Sequence, residues 1–234
     1  MKVAVVLNGS STLDFQDVRT NVARIPEVCA RIREAQEILD SKGHGELDFA
    51  QLLGSEDRVF LSNLKLKTLL VSIVQVGLYD RYLKSFSAPH FIIGNLNGDS
   101  AYNVITQGMS FERMISAATL GNRRGEKALE IVPSEGPTET LLAGVTLVDY
   151  GVTSLRENQL FIDPKLKGSL VGIVSRLIDE YQVRKFVSIG PGQMLLPEER
   201  DQISLREIQL VESIDMDPLL SWFWSSLRGT LRVG

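Results

Sequence analysis

Val3-Ala4-Val5-Val6-Leu7 is an unbroken aliphatic run without polar alternation, and it limits what the chain can fold into more than any other segment. A strand with one wet face alternates apolar and polar residues. A continuous β-branched run suits a strand covered on both faces, as in a parallel sheet between helices. Asn8-Gly9-Ser10-Ser11 ends the run in a turn, and two later apolar runs end the same way. Phe91-Ile92-Ile93 leads into Gly94-Asn95-Leu96-Asn97-Gly98, and Phe186 to Ile189 into Gly190-Pro191-Gly192.

Helical patterns separate these strands. Pro26 suits a first helical position, Val28, Ile32, Ala35 and Leu39 recur at helical spacing, and Gly43-His44-Gly45 lies beyond the predicted end. Leu61 to Phe86 predicts a long helix that is apolar around most of its circumference through Leu69, Leu70, Ile73, Val74 and Leu78, which makes it central. Asp99 to Gln107 is helix-compatible, Ser110 is a predicted N-cap for a helix reaching about Arg124, and Leu170 to Tyr181 predicts another. Val145 to Val148 and Ile208 to Val211 read as strands, the latter at an edge, while residues 132–144 have loop composition. Alternating strands and helices predict an α/β fold, a mainly parallel sheet flanked by helices, in a single domain over residues 1–234.

Composition narrows the functional classes. With 25 Lys+Arg against 29 Asp+Glu the net charge is −4, and no dense basic block argues for nucleic acid or an anionic membrane surface. Cys29 is the lone cysteine and His44 and His90 the two histidines, so neither a disulfide nor a Cys/His metal site is expected. The stretch Thr68 to Tyr79 contains Ser72 and Gln75 and falls far short of the ~20 apolar residues of a membrane span. A cytoplasmic protein without metal or cofactor is the expectation.

In open α/β sheets ligands sit where strands give way to helices, which points to the three glycine-bearing strand ends. Two glycines four apart after a short strand suit a nucleophile elbow, because the sharp turn leaves no room for a β-carbon on either side of the central residue. Here that residue is Leu96.

With these segments in order, the sequence resembles the malonyl-CoA:acyl carrier protein transacylases and the acyltransferase domains of polyketide synthases. Asn8-Gly9-Ser10-Ser11 stands where the family has Gly-Gln-Gly-Ser-Gln, and Leu69 to Leu83 looks like the helix before the elbow. Gly94-Asn95-Leu96-Asn97-Gly98-Asp99 stands for Gly-His-Ser-Leu-Gly-Glu, and Arg124-Gly125 matches the pair whose arginine binds the malonyl carboxylate. Phe186 to Leu195 is similar to the strand and loop carrying Gly-Pro-Gly.

The resemblance implies a large acyltransferase subdomain with the small ferredoxin-like subdomain largely missing, residues 126–144 being its shortened remnant. It also implies a degenerate site. Leu96 takes the position of the serine nucleophile, Asn95 that of the adjacent histidine, and Asn8 that of the oxyanion-region glutamine, while no histidine occurs from Phe91 to Gly234 to serve as base. No catalytic residue is therefore assigned. Candidate substrate-binding residues are Asn8, Gly9, Asn97, Arg124, Gly190 and Gly192. Arg124 also suits a helix C-terminus for electrostatic reasons alone, and Gly190-Pro191-Gly192 needs only turn chemistry to explain it. Trp222 and Trp224 flank Phe223 on a predicted helix, where three consecutive residues spread over ~200°, so they are candidate partner contacts.

The expectation is a non-catalytic binding or scaffold component of fatty-acid or polyketide synthesis. Its expected partner is an acyl carrier protein, a synthase component or a second copy of the chain, with acyl-CoA as a further ligand. The alternatives are an acyltransferase or thioesterase with a non-standard site, and an acyl-CoA or carboxylate sensor.

Overall fold

The computed structural model describes residues 1–7, 22, 24–45, 47–54, 64–95, 100–119, 141–142, 145–146, 150–155, 159–161, 170–190 and 209–212. Along the chain these form β1 (Lys2–Leu7), α1 (Pro26–Ser41), α2 (Phe49–Gly54), α3 (Leu64–Ser85), β2 (Phe91–Asn95), α4 (Ser100–Ile105) and α5 (Phe111–Thr119). There follow β3 (Leu141–Leu142), β4 (Val145–Thr146), β5 (Tyr150–Ser154), β6 (Gln159–Phe161), α6 (Leu170–Asp179), β7 (Val183–Ile189) and β8 (Gln209–Glu212).

The main sheet has the order β6-β5-β2-β1-β7-β8. β1 pairs in parallel with β2 and β7, and β7 with β8, so the expected mainly parallel sheet is present. β1 is interior because both its faces are apolar. Val5 and Leu7 point into a core shared with α1, α3, α4 and α5, whereas Ala4 and Val6 point into a second core under α6. The period of two in a strand makes one continuous run serve both layers. That explains the absence of polar alternation.

The sequence reading did not foresee β5 and β6, which continue the sheet, β5 antiparallel to β2 and β6 antiparallel to β5. In β5, Val152 and Ser154 are buried, and a serine in place of an apolar residue conceals the strand pattern. The strand expected over Val145 to Val148 is described only at Val145–Thr146, where it pairs with Leu141–Leu142 in a separate two-stranded sheet. Leu141–Leu142 thus falls inside a segment read as loop. β7 starts three residues earlier than expected, at Val183, because Arg184 and Lys185 at its exposed beginning break the apolar run.

Helix ends follow local chemistry. Pro26 opens α1 after Ile25, whose extended backbone (φ −66°, ψ 128°) is an N-cap without a side-chain hydrogen bond. At the other end the Gly43 N–H donates to the Asp40 carbonyl (3.0 Å) and the His44 N–H to the Leu39 carbonyl (3.1 Å). With Gly43 at φ 81° this is a Schellman motif, and the left-handed position favours glycine. Ser110 caps α5 as expected, its Oγ accepting from the Arg113 N–H at 3.1 Å.

α3 is the central helix, buried at every position from Leu69 to Tyr79. α1 crosses it where Gly77 faces Val28, close enough that a β-carbon on Gly77 would lie 2.6 Å from the Val28 Cα. Arg31 holds the crossing, with Nε 2.6 Å from Asp80 Oδ2, and its guanidinium lies 5.0 Å from the Phe111 ring centroid. Among the described residues no helix is long and apolar enough to cross a membrane.

A second contact between α1 and α3 is pH-sensitive. Glu27 is 7% exposed, and its Oε1 lies 3.0 Å from Lys84 Nζ and 3.7 Å from Arg81 Nη1. Burial acts to raise its pKa, but the Lys84 hydrogen bond, its own backbone amide and the two positive charges outweigh burial and hold it below the ordinary 4.5. A carboxyl whose pKa falls on folding adds stability above its unfolded pKa and loses it as the pH drops through the folded value. Glu27→Gln is expected to lower stability near neutral pH by roughly 1 kcal/mol, a modest value because the Lys84 side chain is largely exposed. Urea unfolding across a pH series checks this. The difference between the proteins should close as the pH falls below the carboxylate range, and a pH-independent difference would assign the loss to packing.

Candidate functional site

Three adjacent parallel strands, β2, β1 and β7, end at the same edge of the sheet. Val6 of β1 is level with Ile93 on one side and Ser188 on the other, and Leu7 is level with Ile189. β1 lies between strands reached by separate connections, so its carboxyl end is a switch point of the kind where α/β sheets open a crevice. Two of the three glycine-bearing strand ends singled out in the sequence, those of β2 and β7, lie at this edge, and Gly9 lies outside the described residues.

At the first of these, β2 runs to Asn95 and α4 begins at Ser100, so the expected strand and helix are both present. A β-carbon on Gly94 would lie 2.6 Å from Tyr102 Cγ and 2.8 Å from Tyr102 Cβ. The strand therefore approaches the helix too closely for any residue but glycine. Tyr102 and Ala101 are both buried, which fixes α4 against the end of β2. Gly94 and Asn95 also pair with Gly151 and Tyr150 of β5, so the end of β2 is held on its other side by an antiparallel neighbour.

At the second, Gly190 follows β7 with φ 142°, a conformation that favours glycine, and it is buried. The Gln75 side chain of α3 is 2% exposed and its Nε2 donates to the Ile189 carbonyl at 3.3 Å. Gln75 was visible in the sequence as a polar residue within an apolar stretch. What it reaches was not visible, because the two residues are 114 positions apart.

Of the candidate residues, Gly190 lies at this edge, and Asn95 is described as the last residue of β2. Asn8, Gly9, Leu96, Asn97, Arg124, Gly192, Trp222 and Trp224 lie outside the described residues. Neither histidine belongs to the crevice edge of the strands. His90 precedes β2 at the opposite edge, where its N–H donates to the Val3 carbonyl (2.8 Å), its carbonyl accepts from the Leu155 N–H (3.1 Å) and its Nδ1 accepts from the Val3 N–H (3.4 Å). His44 closes α1. Among the described residues no group of three or more His, Cys, Asp or Glu is placed to hold a metal ion.

No protein family and no curated protein matches the sequence. Solved structures do match the fold. The crystal structure of an acyl-carrier-protein S-malonyltransferase from Burkholderia pseudomallei superposes with a TM-score of 0.57, covering 94% of this chain and 100% of that chain at 13% identity. At that identity the likeness is one of architecture, and the chain has the acyltransferase-like α/β fold of that malonyltransferase.

Proposed function

We propose that this chain is a non-catalytic relative of the malonyl-CoA:acyl carrier protein transacylases, which uses the crevice at the ends of β2, β1 and β7 to bind rather than to transfer. The reading places it in fatty-acid or polyketide synthesis with an acyl carrier protein or another synthase component as partner. The observation that carries it is the close approach of β2 to α4 at Gly94 and Tyr102, in a fold shared with a malonyltransferase, with Leu96 lying between them in the sequence where that chemistry requires a nucleophile.

An isobutyl group forms no acyl ester, and losing a nucleophile or its base from such a unit costs roughly 10⁶ in turnover. The base is missing as well. No histidine follows His90, and His90 itself is committed to backbone contacts at the far edge of the sheet. Two losses in one catalytic unit leave binding as the function consistent with a retained fold.

Intact-mass spectrometry after incubation with malonyl-CoA and acetyl-CoA, with thermal unfolding of the same samples and of samples containing holo-acyl carrier protein, tests the proposal. No covalent adduct is expected, and a bound partner at ~100 times its dissociation constant should stabilise the protein by ~2.7 kcal/mol. Leu96→Ser alone should leave acyl transfer at background, since a serine without a base is a weak nucleophile at neutral pH. An adduct on the unmodified chain would return the protein to the active transferases. Stabilisation by acyl-CoA but not by carrier protein would favour a sensor.

A further inference from the structure

We propose that Gln75 is a positioning residue for the crevice, holding the Ile189–Gly190 peptide from the helix layer so that β7 leaves the sheet along one fixed course. The ligand part of this inference rests on the reading of the crevice as a binding site. The structural part does not.

Gln75 is buried within the wholly buried stretch of α3, where a long polar side chain is expensive unless its amide is used. Its Nε2 reaches the carbonyl of the last residue of β7. A trans peptide is planar, so its C=O and the following N–H point in opposite directions. Turning the Ile189 oxygen toward α3 therefore turns the Gly190 N–H away from α3. The next backbone torsion, φ 142° at Gly190, is one that glycine alone adopts readily, so the turn carries no steric preference of its own. The Gln75 side chain supplies a constraint from another layer. Ile189 is also level with Leu7 at the end of β1, so the same contact sets the spacing of the strand ends that flank the crevice.

Gln75→Met keeps the length and removes the donor. The readout is amide exchange resolved at Gly190, with malonyl-CoA affinity measured in parallel. Exchange at Gly190 should quicken by about tenfold while amides in α1, α3 and β1 keep their rates, and malonyl-CoA should bind about tenfold more weakly, the equivalent of about 1.4 kcal/mol. Unchanged exchange at Gly190, or a rise spread evenly through α3 and β1, would overturn the proposal.

Gln75→Glu provides a second test that survives poor folding of the methionine variant. The ionised carboxylate opposes the Ile189 oxygen, whereas the protonated form donates its O–H to it. Protection at Gly190, corrected for intrinsic exchange, should be lost near about pH 8 and return near about pH 5. Failure to return overturns the positioning role. If the unaltered protein does not bind malonyl-CoA, the crevice reading falls for that ligand, and exchange at Gly190 alone decides the role of Gln75.

Discussion

Gly77→Ala is expected to destabilise the protein by about 2–3 kcal/mol, although alanine is the better helix former by roughly 1 kcal/mol. The added methyl would sit 2.6 Å from the Val28 Cα and 3.1 Å from the Val28 backbone nitrogen. Backbone atoms cannot rotate aside, so α1 must retreat from α3. The retreat pulls on the Arg31–Asp80 and Glu27–Lys84 pairs on either side of the crossing. It also opens gaps beside Val28, Ile32 and Ala35, all of which are buried. Urea unfolding should show a lower midpoint at an unchanged m value, with the thermal midpoint down by roughly 5–10 °C for a chain of this size. A variant as stable as the parent, or more so, would show that helix propensity prevails and that the two helices do not touch at Gly77.

Gly94→Ala should affect both stability and binding. Its β-carbon would meet Tyr102 at Cβ as well as at the ring, and Cβ is fixed to the backbone of α4, so a change of ring rotamer gives no relief. Either α4 moves away from β2 or the end of β2 moves toward β5, where Gly94 is paired with Gly151. The expected loss is about 1–3 kcal/mol, and any thermal stabilisation by malonyl-CoA or carrier protein should disappear because the strand ends that frame the crevice no longer keep their spacing. The two effects are separable. A variant that loses stability yet binds as before would place the ligand away from the β2 end, and Gly77→Ala, whose added methyl meets Val28 of α1, serves as the control for stability loss alone.

Much of this was legible in the residues. The aliphatic run of β1 foretold burial on both faces, and Val5 and Leu7 do face one core while Ala4 and Val6 face the other. Pro26 and Gly43 marked the limits of α1, and Ser110 marked the start of α5. Such features depend on a few neighbouring residues, where the period of the backbone and the chemistry of caps leave little choice. Gly94 was also legible, since a glycine ending a short strand before a helix implies a close approach. Tyr102 as the partner was not.

Other contacts between layers were hidden for a different reason. Gln75 and Gly77 break the apolar character of α3 only slightly, and nothing within a helical turn of either shows that one meets the end of β7 and the other the backbone of α1. The antiparallel β5 and β6 escaped notice because Gly151 and the buried Ser154 obscure the strand pattern. They join the sheet only because β5 pairs with β2, more than fifty positions earlier, and β6 with β5.

The sequence by itself therefore determined the class of the fold and the limits of most elements, and it excludes Leu96 as a nucleophile, since an aliphatic side chain cannot be one wherever it lies. Only the tertiary structure decided that β1 stands between β2 and β7, that these strands end at one edge, that Gly94 meets Tyr102 and that Gln75 reaches Ile189. Local conformation follows from short-range sterics and hydrogen bonds, which the sequence spells out. The order of strands and the approach of layers follow from burying all the apolar faces at once, and that solution belongs to the whole chain.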